Sequence, residues 1–283
     1  MHSLPAKLLK VLWAAFLAFL ILAIGQGIWG ALLLTNLKSS PAVPWSVPIM
    51  AALLCLMWLY LGGRGWPRST SEARRRLLRA APVSRATLGW ATLAGLLAIV
   101  ALAGVWIVLF QLVRTPPNAL ADFSHYPLLT AALAIVMASL VSPLTEEAAF
   151  RGYCQVILEK EFAAPVAVVV SSFLFMIAHL THGLFWTKLL VYFLVGLVFG
   201  TIAYLSQSTL PAIPVHIVGD LTFFFLVWPH DAGRRLVWEG GADRWFWIHT
   251  VQAVVFAVLA IVVFFQFGRK VARESPFPAP AQD

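Results

Sequence analysis

The stretch YPLLTAALAIVMASLVSPLTEEAAFRGY, Tyr126–Tyr153, decides what kind of molecule this is. Residues 123–145 contain no Asp, Glu, Lys or Arg, enough for one bilayer crossing by a helix, which takes about 20 apolar residues. Glu146, Glu147 and Arg151 then arrive within six positions. Similar charge-free runs cover 11–37, 39–63, 86–113, 162–187, 189–219 and 245–268. Hydrophobic residues make up 61% of the chain and charged ones 11%, against about 25% charged in a soluble domain. The stretch 189–230 carries a single charge, Asp220, and Ser206–Pro214 (SQSTLPAIP) breaks it into two helices. The chain therefore reads as an all-α polytopic membrane protein. About eight spans are expected, at roughly 9–35, 43–62, 87–113, 126–149, 163–182, 185–205, 209–229 and 245–267.

Lys and Arg in short loops set the orientation. Segment 63–86 holds Arg64, Arg68, Arg74, Arg75, Arg76, Arg79 and Arg85, which assigns it to the cytoplasm. Lys7 and Lys10 place the N-terminus there too, and Arg269, Lys270 and Arg273 the C-terminus; eight spans satisfy all three. The first apolar run is too long for a cleaved signal peptide and reads as a retained helix. The net charge of +8 is then mostly the positive-inside signal, with the lipid bilayer as the partner and no nucleic acid expected. The Arg-rich, Lys-poor usage suggests a bacterial inner membrane. Cys55 and Cys154 lack metal-ligand spacing, and neither a disulfide nor a reactive thiolate is expected.

One membrane domain is expected, with packing helices and an Arg-rich loop in 1–124, a working core in 125–230, and a last helix with a Pro-rich, disordered tail in 231–283. There is no inverted repeat of the transporter kind. Gly196 and Gly200, like Gly25, Gly27 and Gly30, read as close-packing sites. Trp66, Trp186, Trp228 and Trp245 read as interfacial anchors.

An ionisable group at a helix centre in the membrane costs about 2.5–3.5 kcal/mol, so each one here invites a functional reading. Glu147 and Arg151 are i,i+4 and can pair; Glu146 points about 100° away, above Phe150, with no partner on that face. Glu146 thus suits general acid–base work. The competing reading is a helix start, with Thr145 as its cap and acids in its first turn. His179 ends SSFLFMIAH, with Phe175 one turn earlier. His216 and Asp220 are i,i+4 and read as a hydrogen-bonded couple, an Asp orienting a working His, or two metal ligands.

If spans four and five form a hairpin, Glu146 and His179 have their midpoint between Phe162 and Ala163, inside the turn-like EFAAP (Glu161–Pro165). They would face each other about 16 residues, or roughly 25 Å, from that turn, and the turn would project into the cytoplasm. His216 and Asp220, roughly 10–17 Å into span seven, could join them in a site between helices 4, 5 and 7, below the cytoplasmic surface.

These residues resemble the CAAX-protease and bacteriocin-processing family of glutamic-type intramembrane proteases. EEAAFRG (Glu146–Gly152) looks like its EExxxR motif, FMIAH (Phe175–His179) its FxxxH motif, and HIVGD (His216–Asp220) its HxxxN/D motif. The likeness covers roughly residues 125–230. It implies peptide-bond hydrolysis at the membrane, with Glu146 and His179 activating a water and His216 and Asp220 stabilising the oxyanion. Glu147, Arg151 and Phe175 would be structural support. Asp replaces the more familiar Asn at 220, and an ionised Asp cannot donate a hydrogen bond. The substrate would be a prenylated CAAX-type C-terminus or another membrane-associated peptide. No metal is expected; were zinc used, Glu146, His179 and His216 would bind it. A non-catalytic immunity or partner protein and a proton-coupled transporter are the alternative readings.

Overall fold

The computed structural model describes residues 4–118 and 123–274, and the Pro-rich tail lies outside them. Eleven α-helices are present there and no strand: α1 Leu4–Ser39, α2 Ser46–Leu61, α3 Ser71–Leu78, α4 Arg85–Leu112, α5 Leu128–Glu146, α6 Gln155–Glu159, α7 Ala164–Ala178, α8 Trp186–Ser206, α9 Ala212–Thr222, α10 Val237–Gly240 and α11 Arg244–Glu274. Seven helical segments are long and apolar enough to span a membrane, and α2 is a shorter apolar helix of 16 residues. At about 24 Å it falls short of a 30 Å hydrocarbon core, yet it joins one end of the bundle to the other. At its start Asn36 accepts from the Ser46 N–H, and at its end Arg74 donates to the Tyr60 carbonyl. The seven long apolar segments and this shorter helix form the bundle among the described residues, and the protein is an integral membrane protein.

The longest departure from regular geometry is at the opening stretch. α5 does not stop at the glutamates. It continues through a π-helical segment, Glu147–Cys154, into α6, so one span runs Leu128–Glu159. Thr145 does not cap a new helix there; its hydroxyl donates to the Val141 carbonyl inside the existing one. A second π-helical segment, Phe223–Val227, extends α9. Wide turns of this kind are rare and concentrate at functional sites. Both flank the same cavity.

The turn between spans four and five lies at Lys160–Ala163, with Pro165 in the first turn of α7, where its missing N–H is no loss. That end of the bundle also holds the start of α1, since Lys7 sits 5.6 Å from the Phe162 ring. The Arg-rich segment is there as well: Arg79 pairs with Glu159 at 3.0 Å, and its carbonyl accepts from the Thr209 N–H. Gly268 of α11 lies beside Leu205 at the same end. The opposite end gathers Pro41 against Thr130, Thr115 against Thr187, and Arg114 against Glu239.

α4 is central and largely buried, covered by α11, α8 and α9. α7 and α8 pack closely because Gly196 meets α7 at Ser172, where an added Cβ would lie 2.8 Å from that side chain. Gly25 of α1 packs likewise on Thr145. A Cβ added at Gly27 or Gly30, expected to do the same, would meet nothing within 4 Å, so both lie on the outer face of α1. Of the expected Trp anchors, Trp66, Trp186 and Trp245 are exposed near helix ends, whereas Trp228 turns inward toward Trp106.

Candidate active site

Four elements bring the ionisable groups together. Glu146 closes α5, and its Oε1 accepts from Ser142 Oγ at 2.7 Å and from Gln26 Nε2 of α1 at 2.8 Å. Its Oε2 is buried and has no hydrogen-bond partner. One turn forward from Glu146 stands Phe150, which offers no partner; the local partner is one turn back, at Ser142.

Glu147 is fully buried, and Arg151 Nη1 stands 3.3 Å from its Oε1. The guanidinium lies over the rings of Phe175 (4.2 Å) and Phe199 (5.3 Å), a cation held between aromatic faces. Glu147 has a second partner that spacing could not reveal: its Oε1 accepts from His216 Nδ1 at 2.9 Å, 69 residues away in sequence. His216 stacks on Phe199 with ring centroids 4.4 Å apart. Its Nε2 is 3.6 Å from Glu146 Oε2 and 3.6 Å from Asp220 Oδ1. The ring is thus oriented by Glu147 rather than by its own-helix neighbour Asp220, and it stands among three carboxylates. Asp220 Oδ2 is buried without a hydrogen-bond partner.

His179 is the first residue past α7, opening a 3₁₀ turn to His182. The Phe175 carbonyl accepts from its Nδ1 at 2.8 Å, so the lone pair of a neutral ring is on Nε2. The ring stacks on Tyr192 at 4.1 Å, and the Tyr192 hydroxyl joins Asn118 and His182 in a polar string at that end. Phe175, 1% exposed, supports His179 from below while touching Phe150 and Arg151. The motif phenylalanine is a wall between the ion pair and the histidine.

Glu146, His179, His216 and Asp220 all line one cavity of about 420 Å³. Leu22, Trp29, Ile99, Trp106, Phe223 and Trp228 give it apolar walls. A few convergent polar groups in an apolar cleft are the usual form of a binding site. Along α8, Tyr192 is about 9 Å from one end and Phe199 about 10 Å from the other, so the cavity lies in the middle of the bundle. Its roof is fixed by Asp231, whose carboxylate accepts from Trp106 Nε1 at 3.0 Å and Arg234 Nε at 2.9 Å.

Residues missed from sequence are those supplied by other helices: Gln26, Leu22 and Trp29 from α1, and Tyr192 and Phe199 from α8. Their one signal was indirect, a polar Gln at i+4 from Leu22 in an otherwise apolar span. Among the described residues no three His, Cys, Asp or Glu side chains form a group that could hold a metal ion. His179 and His216 each use Nδ1 in a hydrogen bond and leave Nε2 for the cavity.

Residues 128–222, about a third of the chain, match the family model described as Rce1-like, type II CAAX prenyl endopeptidase. The match contains all three motifs and agrees with the resemblance read from them. It supports a hydrolase of the protease kind, and it leaves α1 and α4, which wall the cavity, outside its bounds. Neither the curated proteins nor the solved structures gave a match.

Proposed function

We propose, with the Rce1-like match over residues 128–222 as the premise, that this protein is an intramembrane endopeptidase in which Glu146 activates a water for attack on a peptide carbonyl. One observation carries the reading: Glu146 has one oxygen held by two donors and the other, Oε2, buried in the cavity without a partner. A general base needs a free lone pair within reach of the proton it takes.

In this mechanism a water sits between Glu146 Oε2 and His179 Nε2 and gives its proton to the carboxylate as it adds to the carbonyl carbon. The tetrahedral oxyanion takes a hydrogen bond from His216 Nε2–H, with His216 in its doubly protonated form donating Nδ1–H to Glu147 at the same time. Asp220, 3.6 Å from that Nε2, balances the charge of the ring rather than donating to the oxyanion. Glu146 then returns its proton to the leaving nitrogen, and the C–N bond breaks. The mechanism uses no metal. A preorganised donor of this kind is typically worth about 10²–10³ in rate.

The apolar walls suit a substrate that arrives through the bilayer: a prenylated CAAX-type C-terminus or another membrane-associated peptide. The reading also places the Arg-rich end and both termini in the cytoplasm, as the positive-inside pattern requires.

The test uses purified protein in lipid nanodiscs and a fluorescence-quenched prenylated CAAX-type peptide, with products read by mass spectrometry. Parent protein is expected to cleave at one bond, with a rate that survives exhaustive chelation. Glu146→Gln is expected to fold normally and lose at least about 100-fold in rate. Glu146→Gln with parental activity would sink the glutamate mechanism; loss on chelation restored by zinc would replace it with a metal-dependent one.

A further inference from the structure

α1 does more than cover the bundle. Leu22, Gln26 and Trp29, spaced i, i+4 and i+7, form one wall of the catalytic cavity. Gly25 brings this wall close, because a Cβ there would collide with the Thr145 side chain, one residue before Glu146. The Gln26 amide then reaches Glu146 Oε1 at 2.8 Å. Only its NH₂ group can face a carboxylate oxygen productively, which fixes the orientation of the amide. Ser142 fills the other side of the same oxygen at 2.7 Å.

We infer that Gln26 is a positioning residue for the proposed hydrolysis: with Ser142 it pins Glu146 Oε1, and so holds Oε2 toward the cavity water and His216. The inference rests on the reading of Glu146 as the base, and it lies on a helix outside the matched segment 128–222. A carboxylate held by one hydroxyl can still rotate about its last torsion, which is broad for glutamate. Two donors from different helices remove that freedom. They also couple the base to the seating of α1, so displacement of this outer helix unlatches the site.

Gln26→Met keeps length and volume and removes both donors. In lipid nanodiscs, the carboxyl stretching band of Glu146 is the infrared band that Glu146→Gln abolishes. We expect that band to shift in Gln26→Met. On the quenched prenylated CAAX-type peptide we expect kcat to fall roughly 10- to 100-fold, as small misplacements of catalytic groups do, with KM and the melting temperature unchanged. A purely structural Gln26 would be rescued by the isosteric Met. An unshifted band overturns the contact. A shifted band with parental kcat overturns the positioning role, provided Glu146→Gln is inactive. If Glu146→Gln is itself active, the glutamate mechanism fails, and this outcome is separate from the infrared result. For a peptide that the parent does not cleave, the infrared shift alone decides. If Met lowers the melting temperature, Gln26→Leu, which also lacks a donor, takes its place with the same expectations.

Discussion

Glu146 and Glu147 are neighbours in sequence and belong to different networks. Glu146 is tied to Gln26 and Ser142, and Glu147 to Arg151 and His216. Removing one partner of a buried ion pair strands a charge and typically costs about 3–5 kcal/mol. Glu147→Ala is therefore expected to lower stability by about that amount, measured by denaturant unfolding in detergent. It also releases His216, so the rate falls even in the fraction that remains folded. The double variant Glu147→Gln/Arg151→Met keeps an oxygen acceptor for His216 Nδ1 and leaves no stranded guanidinium. It is expected to regain most of the lost stability and part of the rate. A double variant as unstable as Glu147→Ala would mean that the ion pair, not the avoidance of an orphaned charge, stabilises this core. The Glu147–Arg151 pair was legible as an i,i+4 spacing. The Glu147–His216 bond was not, because nothing local records a contact between residues 69 apart.

At the scale of elements, the hairpin turn was predictable. Equal distances from Glu146 and His179 pointed to the 162/163 junction, and the turn occupies Lys160–Ala163. The span expected to end near 149 runs on as one helix to Glu159, past Glu146, Glu147 and Arg151. All three are buried, Glu147 paired with Arg151 and Glu146 hydrogen-bonded to Gln26 and Ser142, which lets the helix continue through the membrane. Glycine roles were only half legible, since small-xxx-small spacing does not say which face is buried. Gly196→Ala would put a Cβ 2.8 Å from the Ser172 Cβ and 2.9 Å from its Cα, atoms that cannot move without shifting α7. Overpacking of this sort costs about 1–3 kcal/mol, and His179 would move with α7. Gly200→Ala meets Val168 Cγ1 at 3.0 Å and Gln155 Oε1 at 3.1 Å, side-chain ends that can yield. Gly27→Ala meets nothing. The expected order of melting-temperature loss is Gly196 > Gly200 > Gly27, with Gly27→Ala neutral or slightly stabilising through helix propensity. Equal losses at all three would refute the packing argument.

For the whole molecule, the sequence supported eight crossings with the basic segments on one side, and the structure supplies an independent reason for that arrangement. Arg79–Glu159, Lys7 on Phe162, and Gly268 beside Leu205 tie the start of α1, the Arg-rich segment, the 160–163 turn and the end of α11 to one end of the bundle. Glu239 and Asp243 belong to the other end, with Glu239 paired to Arg114. Packing alone fixes which groups share an end; the Lys and Arg bias then selects which end faces the cytoplasm. Single cysteines test the two arguments separately, after Cys55 and Cys154 are replaced by Ala. Arg68→Cys and Arg269→Cys occupy exposed positions at the basic end, and Asp243→Cys an exposed position at the other. In intact cells a membrane-impermeant thiol reagent is expected to label Asp243→Cys alone, and to reach the other two only after permeabilisation. Labelling of Arg68→Cys and Arg269→Cys but not Asp243→Cys would reverse the orientation while keeping the fold. Labelling of Arg68→Cys and Asp243→Cys from one side would break the fold itself, because the five spans between them, α4 the first, would then not leave them at opposite ends. The catalytic reading depends on the packing more than on the orientation. The cavity is about equidistant from both ends along α8, so its chemistry survives a reversal of orientation but not the loss of α4 as the central span.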